Sequence, residues 1–323
     1  MKILITGATG FVGGALTRYF SLQGHDIIAT GRSNADVDII NQYGRFVQWD
    51  LENDTKNFDV DICIHSAGLA DDQASLSSLR RVNAQGTEKL INSVRANKFI
   101  YISSSSVYNF GPRPQKENDH INLNKLQNYG RSKREGELIV LENASKFHST
   151  TCLRPRVIYG KGDRLLAPRL IAQVKNDRLR IPGNLDILSS MCSVNLINEM
   201  IDVIIKRHEG TDIFNVVDPH TYTMKKAFES ILNAYFEKQI SFMSIPLGIV
   251  RPIAKISDWL PWKTKLSSMA LANLSQDRIL SDDKMKSFLG HTPVHSYYEH
   301  IENDISWYQE SIGKSGNLAW KNV

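Results

Sequence analysis

A tyrosine and a lysine four residues apart, Tyr129 and Lys133, lie in the helix-like stretch LQNYGRSKREGELIV (126–140). On an α-helix residues i and i+4 share a face, so the phenol and the ammonium group would be neighbours. A phenol beside a cation can exchange a proton with a reacting group. Tyr222 and Lys226 have the same spacing, so spacing alone does not decide which pair is catalytic. The catalytic pair is the one that lies beside a cofactor site.

Three glycines near the N-terminus predict a cofactor site. In TGATGFVGG, Gly7, Gly10 and Gly13 directly follow an apolar run and open a helix-length segment. Glycines at such a turn let the backbone approach a pyrophosphate, and the N–H groups of a helix N-terminus face the anion. The pattern predicts a dinucleotide-binding loop.

The end of the second apolar run, IIATGRSN, bears on which dinucleotide binds. NAD-dependent folds usually place an acid here for the adenosine ribose hydroxyls. This chain has Gly31 followed by Arg32. Glycine leaves room for the 2′-phosphate of NADP, and arginine can pair with it through two parallel hydrogen bonds. The sequence therefore favours NADP over NAD, with a solvated loop arginine as the alternative interpretation of Arg32.

The elements that position these residues follow from the hydrophobic pattern. Apolar runs (KILIT, DIIAT, RFVQWDL, VDICIHSA, KFIYISSSS and TTCLRPRVIYG) alternate with helix-length segments such as FVGGALTRYFSLQG and VNAQGTEKLINSVRAN. Strands that are apolar throughout and alternate with helices are typical of a parallel sheet covered on both faces. The sequence predicts an α/β fold built on a doubly wound parallel Rossmann sheet.

After Gly162 the pattern changes. Residues 164–174 and INEMIDVIIK read as helices, DIFNVV reads as a strand returning to the sheet, and the tail from about 219 is mainly helical. We expect a dinucleotide-binding domain of residues 1–160 to which 186–218 return. Residues 161–185 and 219–323 would form a smaller, mainly helical substrate lobe over the carboxyl ends of the strands.

Four serines, Ser103 to Ser106, close the run KFIYISSSS. The carboxyl end of that strand would lie on the cofactor side of the sheet, and the 25 residues from Ser104 to Tyr129 allow a loop and a return to a flanking helix. Tyr222 has no such strand before it, so we interpret it as a surface or packing residue. Tyr129 is therefore the candidate acid/base.

With these residues in place, the chain resembles the extended short-chain dehydrogenase/reductase superfamily, or NAD-dependent epimerase/dehydratase family, over essentially its whole length. The motifs that carry the resemblance, in chain order, are the glycine loop, Asp50-Leu51, His65-Ser66-Ala67-Gly68, Val82-Asn83 with Gly86-Thr87, Ser103-Ser104-Ser105 before Val107-Tyr108, Tyr129 with Lys133, and Leu153-Arg154-Pro155.

The resemblance implies a role for each candidate catalytic residue. Tyr129 would be the acid/base, and Lys133 would lower its pKa and bond the nicotinamide ribose. Ser104 would hold the substrate oxygen, and Asn83 would support the site. Bringing a phenol from a pKa near 10 toward 7 takes about 4 kcal/mol, which the ammonium group and the nicotinamide cation together can supply.

The cofactor contacts that we expect are Gly7, Thr9, Gly10, Phe11, Val12, Gly13, Arg32, Asp50, Leu51, Ser66, Ala67, Gly68, Ser103, Tyr129, Lys133, Pro155 and Val157.

The substrate contacts that we expect are Ser105, Arg156 and Val157. In sugar-nucleotide epimerases of the superfamily an asparagine commonly stands where this chain has Val157, and dehydratases carry an Asp-Glu pair where this chain has Ser105 and Ser106. The form LRPRVIYGKGDRLLAPRL more closely resembles the bacterial branch similar to 3β-hydroxysteroid dehydrogenases, as does LGHTP near the C-terminus. We therefore expect an NADP-dependent oxidoreductase acting on a hydroxyl or keto group of a small or lipid-like substrate.

Two other functions remain open. One is a UDP-sugar epimerase or reductase, and the other is a catalytically idle NADP-binding regulator. The intact Ser104, Tyr129 and Lys133 argue against an idle chain.

Composition excludes several other classes. The charge of +5 comes from scattered basic residues, so no nucleic-acid partner is expected. Cys63, Cys152 and Cys192 are far apart and predict neither a metal site nor disulfides. No export signal precedes the first strand, so we expect a cytoplasmic protein. The apolar stretch 245–262 is too broken by charge and proline to span a bilayer, and we expect Trp259 and Trp262 within it to pack against the lobe or a partner subunit.

The family resemblance also implies a homodimer. The helix from Asn83 to Asn97 and the Tyr129 helix would pack against their copies in a four-helix bundle. Leu90, Val94, Leu138 and Leu141 would supply its apolar contacts.

Overall fold

The structure, a computed structural model, describes residues 1–34, 36–53, 56–71, 74–183, 185–250, 252 and 276–312. The strands in this part of the chain are β1 (Lys2–Thr6), β2 (Asp26–Gly31), β3 (Arg45–Gln48), β4 (Phe58–Asp59), β5 (Ile62–His65), β6 (Val94–Arg95), β7 (Lys98–Ile102), β8 (Ser149–Pro155), β9 (Ile158–Tyr159), β10 (Arg178–Pro182), β11 (Leu188–Ser190), β12 (Cys192–Ser193), β13 (Gly210–Val216), β14 (Thr221–Thr223) and β15 (Ser241–Ile245).

The α-helices in the described residues are α1 (Phe11–Leu22), α2 (Val37–Ile40), α3 (Leu76–Arg80), α4 (Gly86–Ser93), α5 (Asn128–Glu142), α6 (Ala167–Ile171), α7 (Val194–Arg207), α8 (Met224–Phe236), α9 (Asp283–Leu289) and α10 (Tyr297–Ser311).

Seven parallel strands form the central sheet in the order β13-β8-β7-β5-β1-β2-β3. The order reverses between β1 and β5, and ligands of doubly wound sheets bind at such a switch point. The prediction of a doubly wound parallel Rossmann sheet is confirmed. The DIFNVV strand also returns to the sheet as expected, as the edge strand β13 beside β8.

Two hydrophobic layers cover the sheet because its strands are apolar on both faces. Ile3 and Ile5 of β1 face one layer, together with α1 and α7. Leu4, between them, faces the other layer with α4 and α5. Cys63, Cys152 and Cys192 are free thiols buried in these layers.

The helix expected over 164–174 is shorter, since α6 comprises only Ala167–Ile171. Pro168 has no N–H, so it is tolerated in the first turn and would break a helix that began at 164. The Asp163 carboxylate accepts hydrogen bonds from the backbone N–H groups of Leu165, Leu166 and Ala167 at 2.8–3.0 Å. This carboxylate therefore holds residues 163–166 in a non-helical turn.

The helix expected through VNAQGTEKLINSVRAN starts earlier and is irregular. It begins with α3, passes through a π-helical turn at Arg81–Gln85, and continues as α4. The expected outer position of Leu90 and Val94 is wrong: Leu90 is 0% and Val94 9% exposed, and both belong to the core beneath the sheet. The apolar face of α4 is therefore used within the chain.

A third hydrophobic cluster joins the later segments. It includes residues of α6, β10, α8 and α10, for example Leu170, Leu179, Ile231 and Trp307. The domain boundaries remain our prediction. Trp259 and Trp262 lie outside the described residues. No helix within the described ranges combines the length and apolar character needed to cross a bilayer.

Candidate active site

A cavity of about 730 Å³ opens where β1, β2, β5, β7 and β8 end. Every residue expected to contact the cofactor lines this cavity, including Gly7, Tyr129 and Lys133. Ser104 and Asn83 line it as well. The fold thus brings the glycine loop and the proton-transfer pair to one continuous site.

The glycine loop is packed so tightly that Gly7 and Gly13 have no room for a side chain. Gly7 has φ +72°, a left-handed conformation, and a Cβ there would come within 2.8 Å of Ala67 Cα. A Cβ at Gly13 would collide with the Gly7 carbonyl. Gly10 caps the N-terminus of α1, whose N–H groups favour an anion. These residues fit the pyrophosphate of a dinucleotide.

Gly31 and Arg32 lie at the end of β2 and line the cavity. A Cβ at Gly31 would approach Thr9 Cγ2 to 2.7 Å and Thr9 Oγ1 to 2.8 Å. An acidic side chain therefore does not fit at residue 31 unless Thr9 moves. Arg32 is exposed, and its backbone carbonyl accepts a hydrogen bond from Gln48 Nε2 at 2.9 Å.

Sequence reasoning missed the contribution of Arg164 and its neighbours. The Arg164 guanidinium donates a 3.0 Å hydrogen bond to the Thr9 carbonyl in the glycine loop. Leu165, Leu166 and Arg169 also line the cavity. Arg164 and Thr9 are 155 positions apart, so local spacing gives no signal of this contact. The turn after GKGD thus forms part of the cavity wall beside the glycine loop.

Lys133 is buried in the first half of α5, and two contacts fix its ammonium group. Nζ donates a 2.7 Å hydrogen bond to the Ile102 carbonyl at the end of β7, and it lies 4.1 Å from the centroid of the Tyr101 ring. Burial lowers the pKa of Lys133 to about 7, and the Glu137 carboxylate opposes this shift. The ammonium group is therefore poised to change charge near neutral pH.

Tyr129 stands in the first turn of α5 and is half-buried. Burial raises its pKa above the usual value, and a side-chain hydrogen bond with Ser104 opposes this effect. We expected Lys133 to lower the pKa of Tyr129, and in this structure the net shift has the opposite sign because desolvation is the larger effect. The phenol is therefore protonated at neutral pH and able to donate.

Asn83 connects the cavity wall to α5. Its Oδ1 accepts from the Leu69 N–H at 2.8 Å, and its Nδ2 donates to the Leu69 carbonyl at 3.1 Å and to Ser132 Oγ at 3.0 Å. Ser132 Oγ in turn donates to the Tyr129 carbonyl at 2.8 Å. Asn83 thus fixes the positions of the 66–69 segment and the tyrosine helix relative to each other.

The three residues expected to contact substrate lie in different surroundings. Val157 lines the cavity and has φ +43°, a left-handed conformation that is strained for a β-branched residue. Ser105 and Arg156 are buried and are not among the residues lining this cavity. The structure therefore does not support a contact of Ser105 or Arg156 with a ligand in this cavity.

Tyr222 is a packing residue and not a surface residue, since it is 2% exposed. Its hydroxyl donates to Asp218 Oδ2 at 2.9 Å and accepts from the Tyr297 N–H at 3.0 Å. The tyrosine of the second tyrosine–lysine pair therefore belongs to the interior of the C-terminal region, whereas Lys226 is exposed.

The sheet, the glycine loop and the tyrosine–lysine pair define a nucleotide-dependent Rossmann enzyme. Residues 3–216 match the family model "NAD dependent epimerase/dehydratase family". The chain belongs to this family and is an enzyme of the extended short-chain dehydrogenase/reductase type.

Two reductases are similar to this chain in sequence. A 2-alkyl-3-oxoalkanoate reductase of Stenotrophomonas maltophilia is 31% identical over 57% of this chain and 59% of that protein. A 4-hydroxy-2-methyl-3-oxo-4-farnesyl-3,4-dihydroquinoline-1-oxide ketoreductase of Stigmatella aurantiaca is 23% identical over 90% of this chain and 92% of its own length.

The solved structure of UDP-glucuronic acid 4-epimerase from Bacillus cereus in complex with NAD has the same fold. Its TM-score is 0.78 at 18% identity, and the match covers 99% of both chains. The seven-stranded Rossmann architecture is therefore shared with this family member.

Proposed function

We propose that the protein is an NADP-dependent oxidoreductase that interconverts a hydroxyl and a keto group on a small or lipid-like substrate. The observation that carries the proposal is that Ser104, Tyr129 and Lys133 line the same cavity as the glycine loop. The bound nicotinamide would supply or accept the hydride.

The residues of this chain would donate the proton and orient the substrate oxygen. In the reducing direction Tyr129 gives its proton to the forming alkoxide, and the raised pKa keeps the phenol protonated until then. Ser104, which is hydrogen-bonded to Tyr129, orients the same oxygen. Lys133, anchored on the Ile102 carbonyl, holds the ribose and replaces the proton.

Preference for NADP is part of the proposal. Arg32 is an exposed cation at the end of β2, where the adenosine ribose of a dinucleotide lies in such folds, and an acid at residue 31 would fit only if the Thr9 side chain moved. A 2′-phosphate near Arg32 would form charge-assisted hydrogen bonds.

An apolar substrate is favoured over a sugar. Val157, which we expect to contact substrate, lines the cavity with an aliphatic side chain that offers no hydrogen bond to sugar hydroxyls. The names of the two relatives, an oxoalkanoate reductase and a ketoreductase, support a keto substrate. An epimerase of UDP-sugars remains the competing outcome, and the experiment below distinguishes it.

Tyr129→Phe tests the mechanism. Loss of the phenolic proton should lower kcat for NADPH-dependent ketone reduction by about 10²- to 10⁴-fold, while the dissociation constant for NADPH stays nearly unchanged. The assay follows nicotinamide absorbance with a panel of 3-oxo acids, their esters and apolar ketones.

Tyr222→Phe is the matched control, since it alters the other tyrosine–lysine pair and should retain reductase activity. A Tyr129→Phe enzyme with kcat within tenfold of the parent would refute the role of Tyr129. Interconversion of UDP-sugars without net NADPH consumption, together with no reduction of any ketone, would replace the proposed function with epimerisation.

A further inference from the structure

The guanidinium group of Arg164 lies at the glycine loop, where α1 begins. Its Nη2 donates a 3.0 Å hydrogen bond to the Thr9 carbonyl, and a Cβ at Gly10 would lie 3.6 Å from the same Nη2. Gly10 is the N-cap of α1, so the cation stands beside the N-terminus of that helix. The first N–H groups of a helix are the ones that face an anion in such loops.

The turn that carries Arg164 is fixed by contacts on both sides. Asp163, which is 1% exposed, accepts hydrogen bonds from the backbone N–H groups of residues 165–167. Lys161 forms a 3.0 Å ion pair with Asp304 of α10. The contact of Arg164 with the glycine loop is therefore supported by the turn itself and by a helix of the C-terminal region.

The charge of Arg164 is partly removed from water. Burial lowers the pKa of Arg164, and the Asp36 carboxylate opposes this shift. Asp36 immediately precedes α2, on the segment that follows Arg32, so Arg164 lies between the glycine loop and the β2–α2 segment. A guanidinium carries five N–H donors in a planar fork. Arg164 can therefore bind the Thr9 carbonyl and a phosphate oxygen at the same time.

Arg164 and Arg32 line the same cavity at positions that correspond to different phosphates of a dinucleotide. Arg32 directly follows β2, where the adenosine ribose with the 2′-phosphate of NADP lies in such folds. Arg164 stands at the N-terminus of α1, where the pyrophosphate lies. Because NAD and NADP both contain the pyrophosphate, a contact with it does not select between the two cofactors.

We propose that Arg164 binds the pyrophosphate of the dinucleotide and so joins the 160–166 turn to the bound cofactor. The guanidinium would form charge-assisted hydrogen bonds with the phosphate oxygens, opposite the N–H groups of α1. The proposal goes beyond the proposed reductase function, because it concerns cofactor binding and holds equally for a reductase and for an epimerase.

The binding test uses two fragments of the cofactor. ADP contains the pyrophosphate and no 2′-phosphate, whereas adenosine 2′-monophosphate contains the 2′-phosphate and no pyrophosphate. Arg164→Gln keeps a hydrogen-bond donor for the Thr9 carbonyl but removes the charge. In calorimetry it should weaken ADP binding by about 10- to 100-fold, the range for a lost charge-assisted contact, and leave adenosine 2′-monophosphate unchanged. Arg32→Ala should show the reverse pattern.

Arg164→Lys and Arg180→Met complete the series. Arg164→Lys keeps the charge but not the planar fork, so ADP binding should weaken by about 3- to 10-fold. It replaces Arg164→Gln if that variant does not fold. Arg180 is an exposed arginine of β10, and Arg180→Met is the matched control that should leave the binding of both fragments unaffected.

The complete cofactors provide an independent measurement. Arg164→Gln should weaken the binding of NADPH and NADH by the same factor. Unchanged affinity for ADP and both cofactors would overturn the proposal, and so would equal weakening of ADP and adenosine 2′-monophosphate, since Arg164 would then only maintain the loop. Each of these results leaves the reductase function standing. A parent enzyme that binds NADPH but reduces no ketone would refute that function and not the role of Arg164.

Discussion

Arg32 and Gly31 together determine how this chain can choose its dinucleotide. The side chain of Arg32 makes no hydrogen bond or ion pair to another described residue, so it is available to a ligand. Arg32→Ala should weaken NADPH binding by about 1 to 3 kcal/mol through loss of a charge-assisted contact. NADH binding should hardly change. Fluorescence titration of both cofactors measures the difference.

Arg45→Ala, which removes an exposed arginine from the neighbouring strand β3, is the matched control and should affect neither cofactor. The same loss for NADPH and NADH would contradict the assignment of Arg32 to the 2′-phosphate. Because a side chain at residue 31 would meet Thr9, an acid introduced there should disturb the loop and not convert the enzyme to NAD.

At the scale of residues, the sequence predicts those site residues that are marked by a fixed local spacing. Gly7, Gly10 and Gly13 could be identified because a tight turn before a helix needs them in fixed order. Arg164 could not, because its contact with Thr9 joins positions that only the complete fold brings together. The raised pKa of Tyr129 was also missed, since it depends on burial, which spacing does not encode.

The helix α5 carries both members of the proton-transfer pair, and a buried hydrogen-bonded chain fixes it to the sheet. Glu137 of α5 binds Arg154 of β8, Arg154 Nη1 donates to the Tyr108 hydroxyl at 2.8 Å, and that hydroxyl donates to Asn215 Oδ1 at 2.7 Å. The chain crosses from the helix through β8 to the edge strand β13. It therefore locates Tyr129 relative to the sheet.

Glu137→Gln should destabilise the fold by about 3 to 5 kcal/mol, because it leaves the buried Arg154 without its counter-charge. Urea unfolding at pH 7 measures the change. Glu142→Gln, at the exposed C-terminal end of the same helix, should cost little. A loss below about 1 kcal/mol for Glu137→Gln would show that the ion pair does not stabilise α5.

The Glu137–Arg154 ion pair also predicts how the stability of the fold depends on pH. Burial alone would raise the pKa of Glu137, but the charge and hydrogen bonds of Arg154, together with further hydrogen bonds such as that from Arg134, outweigh burial, and the pKa lies below its usual value. A carboxylate with a depressed folded-state pKa stabilises the fold above its unfolded pKa of about 4.3 and loses that contribution as pH falls through the folded value. The decrease in the free energy of unfolding below about pH 4 should therefore be smaller in Glu137→Gln than in the parent.

At the scale of elements, apolar runs predicted the sheet strands well because each is buried on both faces. The π-helical turn at Arg81–Gln85 was not predictable, since no residue type marks the extra residue in such a turn. It lies where Asn83 reaches both Leu69 and Ser132. The local geometry is therefore set by tertiary contacts and not by helix propensity.

The whole molecule is expected to form a homodimer, as the family resemblance implied, but through fewer of the expected residues. Leu90 and Val94 are in the core, whereas Leu138 on α5 is only half-buried and does not belong to any of the hydrophobic clusters of the described residues. Leu138→Lys should therefore convert dimer to monomer. Light scattering over a range of concentrations measures the mass.

Leu22→Lys is the control for this substitution, since Leu22 at the end of α1 is 78% exposed and lies on a different helix. It should leave the dimer intact. A parent protein that stays monomeric at every concentration would contradict the prediction of a homodimer.

At the scale of the molecule, strand alternation was sufficient to predict the doubly wound sheet because connections between parallel strands follow few rules. The mainly helical character of the C-terminal region is confirmed. The short strands β10, β14 and β15 among its helices were not predicted, because periodicity does not distinguish such short segments from helices.

The left-handed backbone at Val157 has a consequence for how such enzymes diverge. Asparagine adopts that backbone readily, whereas a β-branched residue is strained in it. The main chain of this protein is thus already suited to the amide side chain that sugar-specific members of the superfamily commonly carry here. Valine is therefore the less favourable side chain for this backbone, and asparagine could replace it without a change in the course of the main chain.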